Sequence, residues 1–333
     1  MKMIFRFIFC FLVSLICSII FAKFGSQWGF IDKPSDRSSH RIPIPRGGGI
    51  GILLVVLIGA NWWDVDLSVW IPACFVSLVS FLGDYRERPI RIRLAAQMGA
   101  AAIFCGIMIL KKETYGASAW IFISLVIFGI GFITATANYF NFMDGINGIA
   151  GVSGLIAFAG LGIYGLADGQ NAALVSLAFG VAAACLGFLP LNFPKARVFM
   201  GDIGSVLLGF LFASLVIAFS WGIDDFIFLA SFLFPFYADE ISTLIVRLKD
   251  HDRITLAHRR HIYQILANQA GLSHACVTLI YGIFQITVIF LIWFARKEGL
   301  FYLISFPLAL SALYFWWSIR IRRRWEIRRS GAF

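Results

Sequence analysis

Residues 119–166 read AWIFISLVIFGIGFITATA, then NYFNFMDGING, then IAGVSGLIAFAGLGIYGL. The outer pieces, Ala119–Ala137 and Ile149–Leu166, are apolar. At a rise of about 1.5 Å per residue each reaches across, or nearly across, a hydrocarbon core of about 30 Å. Two such runs predict two membrane helices joined by a polar stretch at one face of a bilayer. The stretch is richer than a turn requires, because Asn147-Gly148 alone would supply the positive-φ positions. Asn138, Asn141 and Asp144 recur every third residue, so a helical or 3₁₀ path puts them on one side. Amide oxygens and a carboxylate could then converge on one ligand. Taken alone, these residues also read as a solvated turn.

Working outward, the composition is that of a polytopic membrane protein. Hydrophobic residues make up 60% of the chain and charged residues 14%, with a mean hydropathy of +0.84. A soluble domain carries about 25% charged residues. Apolar runs fall near 3–24, 48–62, 67–83, 94–110, 119–137, 149–166, 172–190, 203–221, 226–246, 277–295 and 300–318. The expected fold is therefore all-α: a bundle of about eleven transmembrane helices forming one integral-membrane domain over 1–333. Met1–Ala22 has a basic start and an apolar middle but no small-x-small cleavage site, so a retained first helix is expected.

The net charge of +10 would suggest nucleic acid in a soluble chain. Here the positions of the charges point to topology instead. Basic residues crowd segments 25–47, 84–93, 191–202 and 247–276 and the C-terminus, whereas the intervening loops carry only Lys111, Lys112, Arg296 and Lys297. The positive-inside rule puts the crowded segments in the cytoplasm, the N-terminus outside and the C-terminus in the cytoplasm. The six cysteines lie in or beside apolar runs without a C-x-x-C pair and read as small apolar fillers.

On the expected cytoplasmic side, four segments hold polar residues beside helix ends. They are Phe81-Leu-Gly-Asp84-Tyr-Arg86-Glu-Arg88, the Asn138–Gly148 stretch, Val198-Phe-Met-Gly-Asp202-Ile-Gly-Ser205 and Ala257-His258-Arg259-Arg260-His261-Ile-Tyr-Gln264. Each has a plainer reading. Asp202 could be an N-cap, the arginines of 84–93 could be topology determinants, and the histidines could be solvated. Two histidines without a third ligand nearby do not make a zinc site. Together, however, few aspartates, two asparagines and a basic-histidine cluster suit a magnesium-dependent diphosphate site. Magnesium takes one or two protein oxygens and leaves the rest to water and phosphate, and arginine neutralises phosphate oxygens. Pro45-Arg46-Gly47-Gly48-Gly49 is expected to add free backbone N–H groups beside a cation.

These segments together resemble the polyprenyl-phosphate N-acetylhexosamine-1-phosphate transferases, the family of WecA, MraY and the dolichyl-phosphate enzyme. The resemblance runs from Gly29 to about Gln264. It rests on Gly29-Phe-Ile-Asp32-Lys-Pro34 with Arg37-Ser-Ser-His40 and Pro45–Gly49, on Asn138-x-x-Asn141-x-x-Asp144-Gly, on Phe199-Met-Gly-Asp202-x-Gly-Ser205 and on His258-Arg-Arg-His261-x-Tyr-Gln264. The last is similar to the WbpL-type branch that starts O-antigen or capsule chains. The sequence departs from the family at two places, Gly83 where an aspartate usually precedes Asp84, and Asn147 where a second acid is frequent. The resemblance implies transfer of a sugar-1-phosphate from a UDP-N-acetylhexosamine to undecaprenyl phosphate at a bacterial inner membrane, with release of UMP. It implies magnesium, or manganese in its place, held by Asn141 and Asp202. Asp84, Asp144 and Asp202 are the expected catalytic acids, Asp84 being the remaining candidate base. Arg46, Asn138, Asn147, His258, Arg259, Arg260 and His261 are the expected substrate contacts. A lipid-linked-sugar transporter, or an inactive scaffold of the same fold, are the competing readings. A transporter needs polar groups near the bilayer midplane, whereas nearly all of the acids here read as lying at helix ends.

Overall fold

The computed structural model describes residues 2–34, 38–40, 42–85, 89–111, 119–252 and 258–330. The fold is helical. In chain order come α1 (Lys2–Phe24), the short strands β1 (Ile31–Asp32) and β2 (Ile44–Pro45), α2 (Ile50–Trp62), α3 (Leu67–Tyr85), α4 (Ile90–Lys111) and α5 (Ala119–Met143). They are followed by α6 (Ile149–Ala167), α7 (Ala172–Asn192), α8 (Asp202–Phe219), α9 (Ile223–Ala230), α10 (Phe234–Lys249), α11 (Ile262–Asn268), α12 (His274–Glu298) and α13 (Leu300–Ser330). Among the described residues nine helical spans are long and apolar enough to cross a membrane, with α9 and α10 counted together as Ile223–Lys249. The 3₁₀ turn Ser231–Leu233 joins those two, next to Pro235, which has no N–H for the helix ladder. The apolar helices α2 and α3 are shorter. At 13 residues α2 spans only about 20 Å.

The core is built around α8. This helix is apolar all round, and its side chains from Ile203 to Val216 are all buried, as expected for a helix enclosed by others. It packs on α2, α3, α5 and α6, while α7 joins α1, α2 and α6 on the other side of the bundle. Gly209 lets α5 come close, since a Cβ there would lie 2.6 Å from the carbonyl oxygen of Thr136 and 2.7 Å from the Cα of Ala137. Ser77 of α3 donates to the carbonyl of Ile203 at 2.7 Å. The start of α8 is thus clamped between the end of α5 and α3.

Two boundaries differ from the sequence reading in ways that bear on the site. First, α5 does not stop at Ala137 but runs to Met143, so Asn138 and Asn141 are helical. The amide of Asn138 donates to the carbonyl of Thr134 one turn back, at 2.7 Å, and to Gln97 of α4 at 2.6 Å. A satisfied amide does not break the helix. Second, the long polar segment before α12 contains the seven-residue helix α11.

Candidate active site

The polar end of α5 meets the first turn of α8. Asn141 Nδ2 donates to Asp202 Oδ1 at 2.8 Å and to Ser205 Oγ at 2.9 Å. Arg93 of α4 closes on the other carboxylate oxygen, with its guanidinium 2.6 Å from Oδ2. Asp202 therefore does not act as an N-cap. The cap position is Gly201, and no side-chain cap bond is made there. Three helices instead bring a carboxylate, an amide, a hydroxyl and a guanidinium to one point, which remains about a quarter exposed at Arg93 and Asp202. A carboxylate beside an amide supplies oxygens of the kind a hard cation takes, one or two of them from protein. Among the described residues no group of three His, Cys, Asp or Glu side chains is placed to hold a metal; a cation held by Asn141 and Asp202 would take the rest of its shell from water and phosphate.

The glycine run of the first loop does not offer free donors. The N–H groups of Gly47 and Gly48 donate to the carbonyl of Phe199 at 3.1 and 2.9 Å, and that of Gly49 donates to Met200 at 2.9 Å. These bonds, with the bridge between Arg46 and Phe199, strap the first loop to the segment that leads into Asp202. Arg46 is thereby held a few residues from the carboxylate. His40, from the same loop, packs its ring 5.0 Å from that of Phe199.

Asp144 follows Asn141 directly after α5, and its N–H donates to the Asn141 carbonyl at 3.2 Å. Gly148 has φ +85°, as the Asn-Gly turn requires. Asn147 is stitched into the fold: its amide donates to the Pro194 carbonyl at 3.2 Å and its carbonyl accepts from Thr278 Oγ1 at 2.8 Å. Asn192, which the sequence does not mark, is buried beneath this turn. It accepts from Gly148 N at 2.7 Å and donates to the Val198 carbonyl at 2.9 Å, so it ties the central turn to the strap before Asp202. Asn138, one turn before Asn141, donates to Gln97.

The histidine segment docks on the same end of the bundle. Tyr263 Oη donates to the Phe142 carbonyl at 2.8 Å. His258 keeps partial exposure, with its ring 4.7 Å from that of His261. Burial, followed by the neighbouring His261, Arg247 and Arg260 charges, pushes His258 down to about 3. It is a neutral hydrogen-bonding group at physiological pH. Arg260 faces two carboxylates, Asp250 at 2.5 Å and Asp252 at 2.8 Å. His261 is buried, with Nδ1 3.8 Å from Asp239 and Nε2 3.6 Å from Glu240. Those two acids lie inside the 226–246 run, which its hydropathy marks as simply apolar. Their detectable signal was an adjacent acid pair near the end of a membrane span. Asp84 is the penultimate residue of α3. Its side chain, with residues Arg86 and Arg88, lies outside the described residues. Among the described residues, the nearest atom to a Cβ added at Gly83 is Arg93 Cδ, at 3.6 Å, an ordinary contact.

The model of the family described as "Glycosyl transferase family 4" matches residues 67–220. The undecaprenyl-phosphate alpha-N-acetylglucosaminyl 1-phosphate transferase of Thermotoga maritima is 29% identical over 261 residues, covering 78% of this chain and 80% of the relative. A probable undecaprenyl-phosphate N-acetylglucosaminyl 1-phosphate transferase of Bacillus subtilis is 27% identical over 298 residues, covering 84% and 81%. A phospho-N-acetylmuramoyl-pentapeptide-transferase of Synechococcus is 31% identical over 194 residues, covering 52% and 55%. The matched family region contains Asn141, Asp144 and Asp202, and over it the chain is similar to glycosyl transferase family 4.

Proposed function

We propose that this protein transfers a sugar-1-phosphate from a UDP-N-acetylhexosamine to a polyprenyl phosphate, releasing UMP. The observation that carries this reading is the Asn141–Asp202–Arg93 cluster, in which one carboxylate, one amide and one guanidinium meet at the start of the central helix. It is supported by the relatives, which are named as transferases acting on undecaprenyl phosphate. The donor sugar is read as a deoxy N-acetylhexosamine of the kind that starts O-antigen or capsule chains, from the form of the histidine motif. The whole chain acts as one integral-membrane domain, with α2 and α3 crossing as well. This gives eleven spans in a bacterial inner membrane, the N-terminus outside and the site cytoplasmic, in line with the charge alternation.

In this reading Asn141 and Asp202 hold magnesium, which when bound supplies positive charge to the donor diphosphate. Phosphoryl transfer depends mainly on positioning and charge neutralisation. Arg93 leaves Asp202 for a phosphate oxygen when substrate arrives, and Arg46 flanks the same point. Asp144 orients the nucleotide from the turn after α5. His258 donates a hydrogen bond as a neutral ring, while Arg259 supplies charge to the diphosphate. An oxygen of the acceptor phosphate attacks the donor's β-phosphorus, the bond from that phosphorus to the UMP oxygen breaks, and UMP departs. The acceptor is a monoester with a second pKa of about 6, already mostly dianionic at neutral pH, so little general-base help is needed. Asp84 then positions a cation or an arginine and need not accept a proton. The test is UMP release by the purified protein in detergent with magnesium, undecaprenyl phosphate and a panel of UDP-N-acetylhexosamines. The reading expects UMP only when donor and lipid are both present. Failure of every donor in the panel to give UMP would refute it, as would release indifferent to the lipid.

A further inference from the structure

Residues 258–261, between α10 and α11, have no helix or strand of their own to set their position. They are held instead by a buried polar network that reaches the far end of the chain. Asp239 of α10 is fully buried, and its carboxylate accepts the first two N–H groups of α11, Ile262 at 2.8 Å and Tyr263 at 3.1 Å. An acid from another helix thus does the work of an N-cap. The same carboxylate accepts from Tyr281 of α12 at 2.5 Å and Thr243 of α10 at 3.2 Å. Thr243 in turn accepts from Arg322 of α13 at 2.8 Å, and Tyr281 shares a 3.0 Å hydrogen bond with Tyr314 of α13. The other terminal nitrogen of Arg322 donates to the carbonyl of Arg260, inside the histidine segment itself.

Arg322 is 3% exposed. Burying a guanidinium is costly, and an apolar side chain of similar volume would pack at least as well. What the guanidinium adds is a rigid fork whose two nitrogens reach two different elements, which neither lysine nor methionine can copy. The residue lies outside the region that matches the family model, 67–220.

We propose that α13 is a strut for the donor-binding segment and that Arg322 is its positioning residue. It sets the reach of His258 and Arg259 toward the UDP-sugar without touching the substrate. The kinetic part of this inference rests on the function proposed above; the structural part does not.

The experiment uses the full chain in detergent, with Arg322→Met, Arg322→Lys and Tyr314→Phe as variants. Arg323→Met, at an exposed neighbouring arginine, is the control for loss of charge. Hydrogen exchange is read first. The strut predicts faster exchange at the amides of 258–263 in Arg322→Met, least change in Tyr314→Phe, and parent exchange in the control. Unchanged exchange at 258–263 in a folded Arg322→Met protein would overturn the strut whether or not the chain transfers sugar phosphates. Kinetics are read second. Arg322→Met is expected to raise the KM for the UDP-sugar about tenfold while the KM for the lipid stays within twofold, with Arg322→Lys between Arg322→Met and the parent. Equal rises in both KM values, or a fall in kcat at constant KM, would overturn the positioning role. Failure of the function itself would appear separately, as a parent protein that releases no UMP.

Discussion

The Asn141–Asp202 centre and the His258–His261 segment are built by opposite means. The first sits where regular helices end. Its polar groups are partly exposed and pair with one another, and Gly209 and Ser77 only bring their backbones together. The second has no regular structure, and buried side chains from α10, α12 and α13 define its place. A site of the first kind fails by losing its own chemistry. One of the second kind fails by losing alignment, and residues far from the substrate can cause it.

The comparison is tested most severely at Asp202. Asp202→Asn keeps the shape and the hydrogen bond with Asn141 but removes the charge, so transfer should fall by at least about 100-fold, the scale seen when one preorganised electrostatic group is lost. The melting temperature should move little, because the carboxylate makes no cap bond. Activity near the parent level would make Asp202 a structural residue. Asp239→Asn should show the contrasting pattern. It removes the charge and turns one carboxylate oxygen, which accepts one N–H and one hydroxyl, into a donor, each lost bond to a charged group being worth about 1.5–3 kcal/mol. We expect a clear drop in melting temperature and a UDP-sugar KM raised about tenfold, with the lipid KM little changed. A loss confined to kcat would place Asp239 in the first region.

Arg259→Ala should raise the UDP-sugar KM about fivefold to tenfold and leave the lipid KM alone, a loss of about 1–1.4 kcal/mol, the lower end expected for one solvent-accessible contact to a charged group. A selective effect on the lipid would reverse the assignment. The effect of pH is smaller. His258 is held neutral down to about 3 in the fold, whereas in the unfolded chain it takes a proton as pH falls through about 6.5. The unfolded state then binds more protons, so stability drops as pH is lowered from about 6.5 toward 3. Between pH 7.5 and 5.5 the parent should lose more melting temperature than His258→Asn, and equal losses would contradict the burial of this ring. The smallest effect is expected at Gly83. Gly83→Asp places its Cβ in ordinary contact with Arg93 and gives Asp84 a neighbouring acid, yet under the proposed mechanism activity should stay within about fivefold of the parent, because a mostly dianionic acceptor phosphate would need no base. A gain of 100-fold would show that the missing acid is a base after all.

The first region was legible in the sequence because asparagines and aspartates interrupt apolar runs, and an interruption stands out against a 60% hydrophobic background. Asn141, Asp144 and Asp202 were visible for that reason, as was the turn at Asn147-Gly148. Two details of that end were not. The glycines at 47–49 spend their N–H groups on Phe199 and Met200, a pairing that depends on where two distant loops meet. Asn138 donates to Gln97, a partner that its helical spacing alone could not name. The second region was legible only as a motif. Its supports, Asp239, Glu240, Tyr281 and Arg322, lie in or just past membrane spans, where one or two polar residues hardly alter mean hydropathy. Nothing in the periodicity says which helix their carboxylates and guanidinium will meet, because that depends on packing between helices far apart in the chain. Arg322 lies in a basic tail that topology alone explains, yet it is buried while its neighbours Arg323 and Arg324 are exposed.

The central claim is that the Asn141–Asp202 centre passes a sugar phosphate straight from nucleotide to lipid. The most direct measurement follows the label from a UDP-sugar carrying ³²P at the β position, with magnesium, before and after undecaprenyl phosphate is added. The account predicts unlabelled protein and no UMP before the lipid, then label in the lipid diphosphate with stoichiometric unlabelled UMP, all of it absent in Asp202→Asn. Label on the protein or a stoichiometric burst of UMP before lipid is added, label that never enters the lipid, or equal transfer by Asp202→Asn would contradict it.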